Sequence, residues 1–181
     1  MALTPLPDDQ WDDDVRDALA SMVAEGRRNR EGAGNALATL VRHPKLTAAY
    51  LPFSAYLLQE STLPPRLREF AILRVAHRIS SAYEWGHHVE LGEQAGLTSA
   101  DIAAARNGDP ADDFDRTVLT AVDELLEVNR ITADTWAALG KQLDDRARMD
   151  LIFTVGGYVM LGMALNTFGV ELEPDPMVEN L

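Results

Sequence analysis

Residues Leu151 to Val170 carry no charged side chain, and this run constrains the fold more than any other feature of the chain. Twenty such residues suffice for a helix that crosses a bilayer. However, Thr154, Gly156, Gly157, Gly162, Asn166 and Thr167 dilute the stretch, and no basic cluster flanks it on either side. The run therefore reads as a long helix buried at the centre of an all-α domain or oligomer, and no membrane partner is expected. Such a helix needs other apolar helices to cover it.

The remaining sequence supplies them. Asn35–Val41 has helical spacing and stops near His43-Pro44, because a residue before proline disfavours the α region. A second helix runs from Lys45 to about Gln59, with a kink or break at Pro52. Pro64-Pro65 open a third, from Arg66 to Ile79, proline being well tolerated in a first turn. Ser80-Ser81 interrupt it. A fourth helix follows from Ala82 to Ala95 and is closed by Gly96. Thr98-Ser99-Ala100-Asp101 has the form of a capping box opening a short helix to Arg106. Further helices are predicted at Asp113–Val128, Ala133–Leu143 and Asp145–Phe168, and no stretch alternates with a period of two. Ahead of these, residues 1–34 read as an acidic arm. Within it Trp11, Val15, Ala18, Leu19 and Met22 form a short amphipathic helix, and Gly26, Gly32 and Gly34 loosen the link to a domain spanning 35–181.

Charge and composition narrow the function. The net charge of −13 argues against nucleic acid and anionic membranes as partners, since both require a basic surface. With no cysteine, disulfides, thiolate zinc sites and thiol redox chemistry are excluded. Asp8, Asp9, Asp12, Asp13 and Asp14 stand where a signal peptide needs a basic start and an apolar run, so a cytoplasmic protein is expected.

Two helices carry ionisable groups where periodicity calls for apolar ones. At 100° per residue, Glu69 falls between Ile72, Leu73 and Ala76, in the most apolar sector of its helix. A carboxylate there is either a catalytic group or half of a structural ion pair, for instance with Arg146 or Arg148. On the next helix Glu84 and His88 are four residues apart and share a face that continues through Leu91, Gly92 and Ala95. A carboxylate beside an imidazole can transfer protons near neutral pH. The competing readings are a Ser81-x-x-Glu84 capping box and a satisfied core histidine. Glu84-x3-His88, with His77 on the preceding helix, is the nearest approach to a metal site, and it is a weak one.

Taken together, Arg68-Glu69-x2-Ile72-Leu73-Arg74, Tyr83-Glu84-Trp85-x2-His88, Ala95-Gly96-Leu97-Thr98 and Ile102 resemble the carboxymuconolactone decarboxylase and AhpD-like superfamily, most clearly over residues 46–108. The resemblance implies an all-α fold with an N-terminal helical extension, assembled as a homotrimer or homohexamer with pockets near subunit contacts. In the alkylhydroperoxidase branch a glutamate precedes a Cys-x-x-Cys pair, and a histidine follows the second cysteine by four. Glu69 and His88 match that glutamate and histidine, whereas Ser81 and Glu84 hold the cysteine positions. Peroxide reduction by thiols is thereby excluded. The branch without the dithiol implies a cofactor-independent enzyme that moves protons on a small organic acid, lactone or enolisable carbonyl compound. Decarboxylation is its leading reaction, followed by isomerisation, hydration or elimination. His88 is then the general acid or base, Glu69 orients it, and Glu84 is the second acid–base group. Tyr83, Trp85 and Asn166 are candidates for pocket wall and polar anchor. No cofactor and no metal are expected, and the alternatives are a non-catalytic helical binding protein and a metal-dependent enzyme.

Overall fold

The computed structural model describes residues 2–173. Among these there are nine α-helices and no strand. By contacts the chain divides into two compact units, residues 61–163 and a unit that joins residues 1–60 to those from 164 onward.

The first unit is built around the amphipathic arm. After a short 3-10 turn at Asp8–Gln10, helix α1 (Asp13–Asp17) is capped by the Asp12 carboxylate on the Val15 N–H. Trp11, Val15 and Leu19 pack with Val23, Ala33, Ala38, Val41 and Leu51 into one apolar core, while the Trp11 indole N–H donates to the Leu6 carbonyl. The patch expected around Trp11 is thus core, although its α-helix is only five residues long. Helix α2 (Arg30–Leu40) is two helical pieces meeting at Gly34, whose φ of 67° breaks the regular ladder. The second piece begins at Asn35, where periodicity placed the helix start. Helix α3 (Pro44–Ala55) continues through Pro52, where a kink or break was expected, and the irregularity comes later, as a π turn at Tyr56–Glu60. Residues 171–173 pack back on this unit, with Asn35 hydrogen-bonded to Glu171 and Glu173.

The second unit holds α4 (Pro65–Arg78), α5 (Ala82–Gln94), α6 (Ser99–Asn107), α7 (Asp113–Val128), α8 (Ala133–Leu139) and most of α9 (Asp145–Phe168). The signals read from sequence are present at their termini. Thr98 and Asp101 form the reciprocal capping box of α6, and Gly108 ends that helix in the left-handed region. Helix α8 stops four residues earlier than periodicity suggested, at Gly140. Helix α4 is nearly surrounded: Phe70, Ala71, Ile72 and Leu73 are fully buried, and Phe70 and Leu73 pack with Leu97, Ala105 and Leu119. Paired ions tie it to α7, with Arg66 bidentate on Asp115 and Arg74 bidentate on Asp123.

Within one chain helix α9 is not enclosed at the centre of the domain, one of the two settings expected for it. Its buried face carries Ala147, Asp150, Leu151, Thr154, Val155 and Tyr158, but Met149, Phe153, Met160 and Met163 are each at least half exposed. It is one-sided, not a helix enclosed all round. It is also the one described helix long and apolar enough to cross a membrane by length and composition.

Candidate functional site

The site is a helical hairpin. Helix α4 ends with Ser80 at φ 56°, the Ser81 N–H donating to the Ala76 carbonyl and the Ser80 N–H to the His77 carbonyl. This is the Schellman arrangement, with serine where glycine usually stands. The reversal sends α5 back along α4, so that a side chain near the middle of α5 meets one in the second turn of α4.

That meeting is between His88 and Glu69. The His88 Nδ1 lies 2.6 Å from Glu69 Oε2, and its Nε2 lies 3.4 Å from Glu84 Oε2. The other Glu69 oxygen accepts a hydrogen bond from Arg68 Nε at 2.9 Å. All three residues of the cluster are buried, Glu69 completely. The ring of Tyr158, from α9, stands edge-on to the His88 ring at 4.9 Å between centroids.

Electrostatics follow from this geometry. Burial pushes the Glu69 carboxyl up, but the hydrogen bond and charge of His88, helped by Arg68, outweigh it and hold the group below its ordinary value. Burial alone lowers the His88 imidazolium. The hydrogen bonds and charges of Glu69 and Glu84 reverse this and raise it to about 9. At neutral pH the buried pair is therefore an imidazolium against a carboxylate. Each ring nitrogen faces a carboxylate oxygen, so the histidine is oriented at both ends.

The three residues read from sequence as acid–base groups are thus brought together. Two details differ from the sequence reading. The arginine on Glu69 is its neighbour Arg68, not Arg146 or Arg148. Arg148 lies over the Trp136 ring at 4.2 Å and bonds Asp145, and Arg146 is exposed. The Ser81–Glu84 capping box does not form: Ser81 occupies the N-cap of α5 but its side chain caps nothing. The Glu84 carboxylate turns to His88 instead.

The lower-ranked candidates sit elsewhere. Tyr83 stacks at a tilt on His87, with ring centroids 4.5 Å apart. Trp85 packs against the Phe70–Leu73 core under the Arg106 guanidinium, 4.6 Å from its ring. Asn166 is an exposed residue of α9 in the first unit, where its carbonyl accepts the Gly169 N–H. His77 packs edge-on to Trp85 and is held below its usual value by burial and by Arg74, Arg106 and Arg78. Those arginines repel a cation. Among the described residues no group of three or more His, Asp or Glu has the geometry of a metal site.

Sequence reasoning missed Arg68, Tyr158, and two buried hydroxyls without hydrogen-bond partners, Ser81 Oγ and Thr154 Oγ1. A signal did exist on α9: Asp150, Thr154 and Tyr158 are spaced by four on the covered face of an otherwise apolar helix.

Residues 44–127, which contain the whole Glu69–Glu84–His88 cluster, match the model of the carboxymuconolactone decarboxylase family. That match covers somewhat less than half of the chain. No curated protein sequence matches it significantly. Solved structures share the fold at low identity. A peroxidase-related protein of Ralstonia eutropha JMP134 with an alkylhydroperoxidase AhpD core superposes with TM-score 0.76 at 13% identity, covering 96% of this chain and 94% of that one. A putative antioxidant defence protein AhpD of Agrobacterium tumefaciens gives 0.66 at 18% identity over 74% of this chain and 94% of its own. The apo debrominase Bmp8 gives 0.69 at 13% identity over 95% and 92%. These likenesses establish an AhpD-like all-helical fold. With no cysteine, this chain has neither thiol of a Cys-x-x-Cys pair.

Proposed function

We propose that the protein is an acid–base enzyme that needs no cofactor and acts on a small organic acid, lactone or enolisable carbonyl compound, with decarboxylation as its leading reaction. The observation that carries this reading is a buried imidazole with a carboxylate on each nitrogen. With its value raised to about 9, His88 rests as the acid form. In decarboxylation the bond to the departing carboxyl carbon breaks and its electron pair moves onto the neighbouring carbonyl as an enolate. His88 then protonates the enolate carbon. Glu69 keeps the ring oriented and charged, and Glu84 relays to His88 a replacement proton taken from water, since the one delivered leaves in the product. The same groups serve an isomerisation, in which Glu84 removes a proton and His88 delivers one. Nδ1 is held by Glu69 at 2.6 Å, so His88 delivers from Nε2, whose approach to Glu84 is the longer of the two at 3.4 Å.

Positioned proton transfer contributes about 10²–10⁴-fold to rate. His88→Gln is expected to lose at least about two orders of magnitude in turnover, with an unchanged far-UV spectrum. The assay is carbon dioxide release and lactone loss over a panel of small β-keto acids and lactones. Turnover near wild type in the variant would remove the assignment.

Self-association belongs to the same proposal. The exposed apolar residues of α9 support a homo-oligomer, in keeping with the trimer or hexamer that the family resemblance implies. An intracellular location, consistent with the acidic, cysteine-free sequence, completes it.

A further inference from the structure

Helix α4 carries four arginines, and three of them place their terminal nitrogens on carboxylates. Arg66 holds Asp115 and Asp101, Arg74 holds Asp123, and Arg78 bridges Asp123 and Glu127. Arg68 differs. Its one ion pair runs from Nε to Glu69 Oε1 at 2.9 Å, and among the described residues neither Nη1 nor Nη2 has a hydrogen-bond partner. The chain has 29 acidic residues against 16 basic ones, so an open guanidinium does not reflect a shortage of acids.

This group is both held and reachable. The Arg68 side chain keeps 14% of its surface, against 1% for that of Glu69. The buried side-chain atoms without a partner are Ser81 Oγ, Arg148 Nε and Thr154 Oγ1, among the described residues. Neither terminal nitrogen of Arg68 is one of them, so both meet solvent directly. The Nε bond to a completely buried carboxylate fixes the plane of the guanidinium. Its outer edge, with a donor on each terminal nitrogen, stays whole and matches the two oxygens of a carboxylate. Little side-chain freedom remains to be lost on binding. The other oxygen of Glu69 lies 2.6 Å from His88 Nδ1, so a ligand on this edge sits beside the acid–base pair, with the Glu69 carboxylate between them.

We propose that the outer edge of the Arg68 guanidinium is the anchoring position of the site, taking a carboxylate of the substrate through both terminal nitrogens. This rests on the acid–base reading and deepens it, by naming the group that holds an organic acid. A doubly charged phosphate would need a second cation, and Arg66, the nearest arginine in the sequence, is already taken by Asp115 and Asp101. A singly charged carboxylate needs one guanidinium only. A carboxylate so paired is stabilised as an anion before any reaction and resists loss as carbon dioxide. The group anchored is therefore a handle that the reaction retains.

The test uses sodium acetate as the probe on the intact, isotope-labelled protein, exchanged for sodium chloride at constant ionic strength. The Arg68 Nε–H resonance, assigned through its own side-chain carbons, should shift saturably with a midpoint in the millimolar range, as the efficiency of so small a ligand allows. Acetamide, which has the shape without the charge, should leave it in place. Arg68→Lys keeps the positive charge and loses the planar edge. In that variant the acetate-induced shifts of the Leu67 and Glu69 backbone amides should need about tenfold more acetate, as loss of one hydrogen bond to a charged group requires. An arginine that only supports Glu69 predicts no response to acetate at all. An unmoved Arg68 resonance at high acetate, an equal response to acetamide, or unchanged acetate affinity in a folded Arg68→Lys would each overturn the proposal. If that variant does not fold, the two titrations of the wild type decide alone. The acid–base reading fails separately, through normal turnover in His88→Gln, whatever acetate does.

Discussion

At the scale of single residues, the distinction that matters is between a histidine that fills space and one that is held. A core histidine has one partner and stays neutral. His88 has Glu69 at 2.6 Å on Nδ1 and Glu84 at 3.4 Å on Nε2, and is raised to about 9 despite its burial. Glu69 touches no position open to substrate, so its role is to position and charge the ring. Replacing it with glutamine deletes a charge and keeps the shape. In Glu69→Gln, the pH at which activity falls on the alkaline side should move from about 9 toward about 6.5, the ordinary histidine value. The sign follows from the acid form being the working one: rate is lost as pH rises through the folded value. A pH–rate profile checks this, and an unmoved alkaline limb would show that Glu69 does not set the His88 charge. The pair was legible in the sequence because a carboxylate in an apolar helical sector and a Glu-x3-His spacing are both periodicity signals. Arg68 was not, since residues adjacent on a helix point 100° apart and only side-chain geometry reveals that one folds back on the other. The Ser81-x-x-Glu84 pattern misled, because a glutamate able to cap a helix start can instead bond an imidazole one turn on.

Elements add what residues cannot. Helix α9 exposes Met149, Phe153, Gly156, Met160 and Met163, spaced four, three, four and three. An apolar seam with that alternation is the pattern that helices use to pack along one another. The spacing is nearly symmetric about Gly156, where no neighbouring atom occupies the position of an added Cβ. Two antiparallel copies of the helix can therefore match the methionines at either end and approach closely at the glycine. If this seam mediates self-association, Met149→Glu and Met160→Glu should each shift the protein to smaller species in light scattering and leave helicity unchanged. An unaltered oligomer would place the contact elsewhere. The helices themselves were largely readable from caps and breakers: Pro65 at the start of α4, Gly96 after α5, the Thr98–Asp101 box of α6. Helix α8 ended early because Gly140 weakens a helix interior more than the apolar spacing through Leu143 could signal. Which face of α9 is covered depends on long-range packing, which local periodicity does not encode.

On the scale of the whole molecule, the buried pair makes stability depend on pH, and the window follows from the directions of the shifts. The His88 value lies above that of the unfolded chain, so its contribution is fully present below about pH 6.5 and is lost as pH rises through about 9. Glu69 lies below its unfolded value of about 4.5, so its contribution is present above that pH and is lost on acidification through the lower folded value. His77, lowered by burial and three arginines, acts in the opposite sense to His88, and its protonation on acidification costs stability below about pH 6.5. The folded state of the second unit should therefore be most stable between about pH 6 and 7. Over the alkaline limb, the roughly 2.5-unit rise of His88 corresponds to about 3 kcal/mol. Glu69, Glu84 and the Tyr158 ring are the groups facing His88, and Arg68 acts on it through Glu69. Hydrogen exchange of amides in α4 and α5, measured under native conditions from pH 6.5 to 9.5 and corrected for intrinsic rates, reads this unit directly. Protection should fall steadily across that range in the wild type. In His88→Gln, which cannot titrate, the slope should flatten, while protection at pH 6.5 should already be lower because the Glu69 carboxylate has lost its imidazolium. A variant with the same alkaline slope as the wild type would mean that some other group, and not the enclosed histidine, ties this fold to pH.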